Sequence, residues 1–295
     1  MWTKREKMRG GFTLVEILTT MVIIGILLAV LLPALSHVSK SATTVKQKAQ
    51  FHTLEMGLET FRTDTGDYPP SYFLFVAGAS YSGSQRLAEA MVGRDGLGFH
   101  PESIYRPDGR NAANVEIYYP GISGAGFTDA DRAANLATRK GPYLELESAN
   151  AIKLSDIYLN YGQLVNSYVL VDSFNKVKNL TTGKKIGMPI LYYKADRNKI
   201  GNSAVDTDWP NNTYNLDDSY GGGTGLLAFA PPFAAAGVAF HPMATDFTLF
   251  YNRIKNPNFT APERPYRAES FILHSAGHDG LYGTVDDVFN FDEGK

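Results

Sequence analysis

Gly10-Gly11-Phe12-Thr13-Leu14-Val15-Glu16 is the stretch on which the reading of this chain turns. Lys4, Arg5, Lys7 and Arg9 precede it, against the single acid Glu6. An apolar run follows it to Leu35, and the 20 residues from Ile17 to Ser36 carry no charge. At ~1.5 Å per residue such a helix spans ~30 Å, about the thickness of a bilayer core. The basic flank predicts a cytoplasmic N-terminus. A secretory signal would close its apolar segment with a small-residue cleavage site. No A-x-A site follows this run, and helical patterning continues beyond it. Glu16 is the anomaly. A carboxylate at the start of a membrane span is costly, so either it snorkels to the headgroups or it has a functional partner.

The combination of a basic leader, Gly11-Phe12-Thr13-Leu14-Val15-Glu16 and a long apolar run resembles the class III signal of type IV pilins and type II secretion pseudopilins. The resemblance implies that a prepilin peptidase cuts between Gly11 and Phe12 and methylates the new amine of Phe12. It also implies an assembly role for Glu16, the fifth residue of the processed chain. Pro33 matches the proline this family often carries in its membrane helix. Cleavage would expose a positive amine inside the membrane, and a neighbouring subunit's Glu16 would neutralise it where the dielectric is low. That pairing would set the stagger of subunits in a filament. Loss of the leader takes four basic residues and one acid away, moving the formal charge from −2 to −5.

Beyond the span, Leu35, Val38, Ala42, Val45 and Ala49 recur at helical spacing, followed by Phe51, Leu54, Leu58 and Phe61. Glycine and prolines in Thr63-Asp64-Thr65-Gly66-Asp67-Tyr68-Pro69-Pro70 end the helix. The expected organisation is a leader over 1–11, a transmembrane and assembly helix over 12–63, loosened or kinked at Pro33, and a periplasmic head over 64–295. A plain membrane anchor with a coiled-coil stalk fits the two stripes equally well. The head reads as β-rich, with strands over Ser167–Val171, Ile190–Tyr193, Phe247–Tyr251 and Ser270–His274. Short helices are expected over Ser84–Gly93 and Ala130–Thr138. The fold class is therefore α+β: a pilin-like fold, with a long N-terminal helix on a β-rich head.

Parts of the head resemble the major pseudopilin of type II secretion. Asp67-Tyr68-Pro69 matches its turn after the long helix, and Gly141-Pro142-Tyr143-Leu144 its first-strand entry. Asp172-Ser173-Phe174 and Pro189-Ile190-Leu191-Tyr192-Tyr193 match its strand pair. The glycine that should follow the aspartate closely is displaced downstream, to Gly183 or Gly187. Residues 71–135 and 195–265 have no counterpart and read as insertions.

Near the C-terminus, Asp279, Asp286 and Asp287 lie within nine residues, spaced by Gly280 and Gly283 and preceded by Gly277. Calcium takes six to eight oxygen ligands, and glycines permit the turns that gather them. The spacing is not that of an EF-hand, and an acidic, Gly-rich turn is commonly a solvated hairpin. The resemblance implies more: the family's calcium loop has one aspartate and then an acidic pair seven and eight positions on. By that correspondence Asp279, Asp286 and Asp287 would bind calcium with the backbone carbonyls of Ala276 and Leu281. His274 and His278 flank the loop, but a strand-and-turn reading separates them and disfavours zinc. Asp206, Asp208, Asp217 and Asp218 read as a solvated loop.

The formal charge argues against nucleic acid as a partner, and the lack of cysteine removes disulfides, thiolate metal sites and a cysteine nucleophile. No phosphate loop, nucleophile elbow or zinc-protease motif is present, so an enzyme is not expected. The leading expectation is a structural subunit of a type II secretion pseudopilus anchored in the bacterial inner membrane. Its partners would be copies of itself, minor pseudopilins, prepilin peptidase and the inner-membrane secretion platform. A type IV pilin is the neighbouring reading. A carbohydrate-binding or enzymatic head on a pilin stalk is the third, suggested by Tyr118, Tyr119, Trp209, Tyr214 and Tyr220, which would serve a larger core as well.

Overall fold

The computed structural model describes residues 13–76, 78–118, 128–205, 211–232 and 241–292. Gly11, Phe12, Tyr119, Asp206, Asp208 and Trp209 lie outside them. Leu14–Thr65 forms a single 52-residue helix, α1, which runs through Pro33 and ends at Gly66. The chain divides into two units at Thr43/Thr44. In the first unit, every described side chain from Thr13 to Ala42 is exposed. This is the one helix among the described residues long and apolar enough to cross a membrane.

The second unit contains the rest of α1 and the head, an α+β arrangement consistent with a pilin-like fold. Its elements are β1 (Leu74–Val76), β2 (Ala79–Tyr81), α2 (Gly83–Val92), α3 (Asp129–Thr138), β3 (Ala151–Lys153) and β4 (Tyr168–Leu170). They continue with β5 (Val177–Lys178), β6 (Lys185–Ile186), β7 (Leu191–Lys194), α4 (Asp217–Tyr220), α5 (Pro242–Thr245) and α6 (Thr248–Ile254). The last are β8 (Lys255–Thr260), β9 (Glu263–Pro265), β10 (Phe271–Ser275) and β11 (Val288–Phe289). The main sheet is antiparallel in the order β11-β10-β7, with Ile272 opposite Tyr193 and His274 opposite Phe289.

Alternation along these strands divides the core in two. Tyr192, Phe271 and Leu273 face Phe51, Leu54, Leu58 and Phe61 of α1 together with Leu87 and Met91 of α2. Leu191, Tyr193 and Ile272 join the second cluster, with Leu226, Phe250, Tyr251 and Ile254. Both faces being covered explains why these strands read as unbroken apolar runs. The 195–265 segment supplies the cover of the second face. Tyr214 lies in that cluster and Tyr220 packs against it, while Tyr118 is also buried, so these aromatic side chains serve the interior.

The second stripe of α1 is buried, whereas Leu35, Val38 and Val45 of the first remain exposed. The buried face begins instead with two glutamines. Ser173 N–H donates to Gln47 Oε1 at 2.7 Å, Ser173 Oγ to Gln50 Oε1 at 3.0 Å, and Gln50 Nε2 to the Val171 carbonyl at 2.8 Å. Between these partners, Asp172 is buried and accepts from Met188 N–H at 3.1 Å and Ser275 Oγ at 2.7 Å. Gly187 stands so close that a Cβ there would lie 2.0 Å from the Asp172 carbonyl oxygen. The β5–β6 hairpin fills the interval between these two residues.

Two expected strand features differ. Phe247–Tyr251 is helical: Asp246 Oδ1 accepts from Thr248 N–H at 3.0 Å and Thr248 Oγ1 at 2.6 Å, starting α6. Phe250, Tyr251 and Ile254 then share its buried face, a helical spacing. Gly141–Leu144 does not lead directly into a strand, since β3 begins at Ala151. Tyr143 is held instead by the Met91 carbonyl at 2.8 Å, the Asp64 carboxylate at 2.9 Å and an edge-on contact with Phe61.

Burial pushes the Asp172 carboxyl up to about 7, outweighing the hydrogen bonds that favour its charged form. A folded-state value above the unfolded one means that the folded chain binds the extra proton. This contribution to stability is therefore full below about pH 4 and lost as pH rises towards 7. Asp172→Asn should gain stability relative to the natural chain between pH 5 and pH 8, by on the order of 3 kcal/mol. Urea midpoints across that range measure it, and parallel curves would contradict it.

Candidate assembly segment and acidic loop

At the head of α1, Thr13 and Glu16 cap the helix reciprocally. Thr13 N–H and Oγ1 both donate to Glu16 Oε2 at 2.8 Å, and Glu16 N–H donates to Thr13 Oγ1 at 3.2 Å. This is a capping box, whose signature is a hydroxyl residue followed three positions on by Glu or Gln. Thr13-Leu14-Val15-Glu16 shows that signature in the sequence. The carboxylate thus has a structural role in its own subunit, with both bonds falling on Oε2.

The acidic loop follows β10. Gly277 has φ +65, and a Cβ there would sit 2.2 Å from the Asp286 carbonyl oxygen, so the two limbs of the loop touch at a glycine. Across this contact Asp279 N–H donates to Asp286 Oδ2 at 2.9 Å, and Leu281 N–H donates to Asp279 Oδ1 at 2.7 Å. Thr284 Oγ1 donates to Asp286 Oδ1. Burial and the facing Asp286 carboxylate push the Asp279 carboxyl above its usual range. Burial also works to raise Asp286, but hydrogen bonds from the Thr284 hydroxyl and the Asp279 amide hold it lower. Two carboxylates facing each other repel unless a proton or a cation lies between them.

Asp287 is divided between two partners, its Oδ1 lying 3.4 Å from the Thr284 hydroxyl that also meets Asp286. Its Oδ2 lies 2.8 Å from His274 Nε2 and accepts from Gly283 N–H at 2.8 Å. The His274 and Asp287 side chains are 0% and 1% exposed. The structure thus brings Asp279 and Asp286 together and pairs Asp287 Oδ2 with His274. Leu281 lies in the same loop, with its carbonyl accepting from Thr284 Oγ1 at 3.3 Å, and Ala276 is buried at the end of β10. Among the described residues no three His, Asp or Glu side chains gather as a preformed metal cage. Carboxylate oxygens such as those of Asp279 and Asp286 are of the kind that a hard, oxygen-seeking cation takes. His278 lies in the turn after β10, edge-on to Phe174 and 3.4 Å from Thr44 Oγ1, away from the His274–Asp287 pair. Asp218, expected in a solvated loop, is buried and accepts a hydrogen bond from Ser71.

Residues 7–32 match the family model of the prokaryotic N-terminal methylation motif. The match supports a type IV pilin-like chain that is processed by a prepilin peptidase, anchored in the inner membrane by a single span and assembled into a pilus-like polymer. Proteins carrying this motif are structural subunits. No curated protein and no solved structure matches the chain.

Gly277→Ala places a side chain at positive φ against the Asp286 backbone. It should cost more than about 1 kcal/mol of stability, measurable as a lower urea midpoint. An unchanged midpoint would show that the loop can open without loss.

Proposed function

We propose that the chain is a structural subunit of a type II secretion pseudopilus, assembled through α1 after prepilin peptidase processing and taking part in protein secretion across the outer membrane. The observation that carries this reading is the continuity of the methylation motif, residues 7–32, with the 52-residue helix Leu14–Thr65. The head lies in the periplasm before assembly. Neighbouring copies, minor pseudopilins and the inner-membrane secretion platform are its partners. The type II assignment over a type IV pilus draws support from the acidic loop and from a chain without cysteine.

In this reading Glu16 acts in assembly by facing the Phe12 amine of the next subunit. The capping bonds to Thr13 fall on Oε2 and restrict the carboxylate's rotation. Processing should give a mature N-terminus at Phe12 carrying one methyl group, read by mass spectrometry. Glu16→Ala should still be processed but should reduce filaments by at least about tenfold in electron micrographs. A chain that begins elsewhere, or filaments unaffected by Glu16→Ala, would refute the assembly role.

Calcium at the Asp279–Asp286 pair belongs to the same proposal. When bound it would supply the positive charge that these carboxylates lack, with the Leu281 and Ala276 carbonyls as further oxygen donors. Calcium should raise the melting temperature of the detergent-solubilised chain, and Asp279→Ala with Asp286→Ala should abolish that rise. Asp287→Ala should instead lower the melting temperature with or without calcium, because it strands the buried His274. Equal calcium responses in all three chains would remove calcium from the loop.

A further inference from the structure

The turn that ends α1 and the loops leading out of β7 enclose a cleft of 610 Å³. That volume falls within the range of ~300–1,000 Å³ typical of small-molecule sites. Lys194, Arg197 and Lys199 line it with partly exposed side chains, together with the buried Asp218 and the half-exposed Tyr72. Asp67 faces two of these cations at once, Lys194 Nζ at 2.5 Å and Arg197 Nη2 at 3.3 Å. Lys199 Nζ stands 3.5 Å from Asp196.

Behind this wall is Arg86 of α2. It is fully buried, and none of its three guanidinium nitrogens has a hydrogen-bond partner. Its guanidinium carbon lies 3.9 Å from the centre of the Tyr72 ring, and its charge acts on Asp218. A cation–π contact returns only part of what burying an ion costs. The guanidinium, which lacks hydrogen bonds, stands directly behind two residues that line the cleft, and low-dielectric walls focus its field into the opening. Burial pushes the Asp218 carboxyl up to about 7, opposed by the Ser71 hydroxyl and Arg86. In the lining Lys194, Arg197 and Lys199 balance Asp67, Asp196 and Asp218, and the buried Arg86 behind them adds a surplus positive charge.

The rest of the lining is neutral and polar. Asn198, Thr213 and Asn215 offer amide and hydroxyl groups suited to ligand hydroxyls, beside the broad face of Tyr72. We propose that this cleft binds an acidic sugar, a pyranose carrying a carboxylate. Arg197 and Lys194 take the carboxylate, Asn198 and Asn215 meet ring hydroxyls, and Tyr72 lies against the apolar edge of the ring. Asp67 offers one negative charge to two cations, which leaves one positive charge of the pair for the ligand carboxylate. The site needs neither polymerisation nor calcium, and stands or falls apart from both.

The test is calorimetric titration of the detergent-solubilised mature chain with trigalacturonate, with neutral galactotriose and with inorganic phosphate at one ionic strength. Trigalacturonate should bind saturably, and the neutral sugar and phosphate at least tenfold more weakly. Arg197→Gln combined with Lys194→Met should weaken trigalacturonate at least tenfold, as should Arg86→Met. Should Arg86→Met fail to fold, as judged by circular dichroism, the Arg197 and Lys194 variant decides alone. The proposal is overturned by an absence of saturable binding, by neutral sugar or phosphate binding as tightly, or by a folded double variant of unchanged affinity.

Discussion

Val171, Asp172 and Ser173 meet the helix and the sheet within three consecutive residues. Ser173 and the Val171 carbonyl take the hydrogen bonds of Gln47 and Gln50. Asp172 binds Met188, at the approach to β7, and Ser275, at the end of β10. Glutamines on a buried face are costly unless paired. These pairs form in one rotational setting of α1, since a shift of one residue turns the helix by about 100° and carries both amides away. Apolar side chains such as Leu54 and Leu58 would tolerate several settings, so the glutamines supply the orientation and the aliphatic residues the adhesion. Asp172 then carries that orientation into the sheet.

The size of the head follows from the sheet. Three short strands with large side chains on both faces need two covers, and α1 with α2 provides only one. The second comes from the 195–265 segment, through Tyr214, Leu226, Phe250 and Ile254. Tyr193 packs on Phe250 with ring centres 4.6 Å apart. The long segment is part of the interior, and its polar outer portions are what border the cleft.

The stripe of α1 from Phe51 to Phe61 was legible because burial repeats there at helical spacing, and strands β7 and β10 because they are short unbroken apolar runs. Phe247–Tyr251 was not legible, since its aromatic and β-branched residues suit a strand; the turn made by Asp246 and the packing of Ile254 decide for a helix. The link from Asp172 to Gly187 is hidden by the β5–β6 hairpin, which separates residues that touch. Gln47 and Arg86 were invisible as interior positions because polarity ordinarily marks a surface. In the acidic loop, spacing could align three aspartates but could not tell that His274 claims Asp287.

The exposed first half of α1 has a thermodynamic consequence. From Thr13 to Ala42 no described side chain finds cover within its own subunit. Water is an unfavourable solvent for that surface, which leaves lipid or other copies of the helix. Lipid chains are as apolar as leucine, so exchanging one environment for the other leaves the hydrophobic term nearly unchanged. Polymerisation is then close to isoenergetic in its largest component. Its direction is set by small specific contributions such as close packing. A filament balanced in this way can grow and be withdrawn by modest work, which an assembly held together by hydrophobic burial could not.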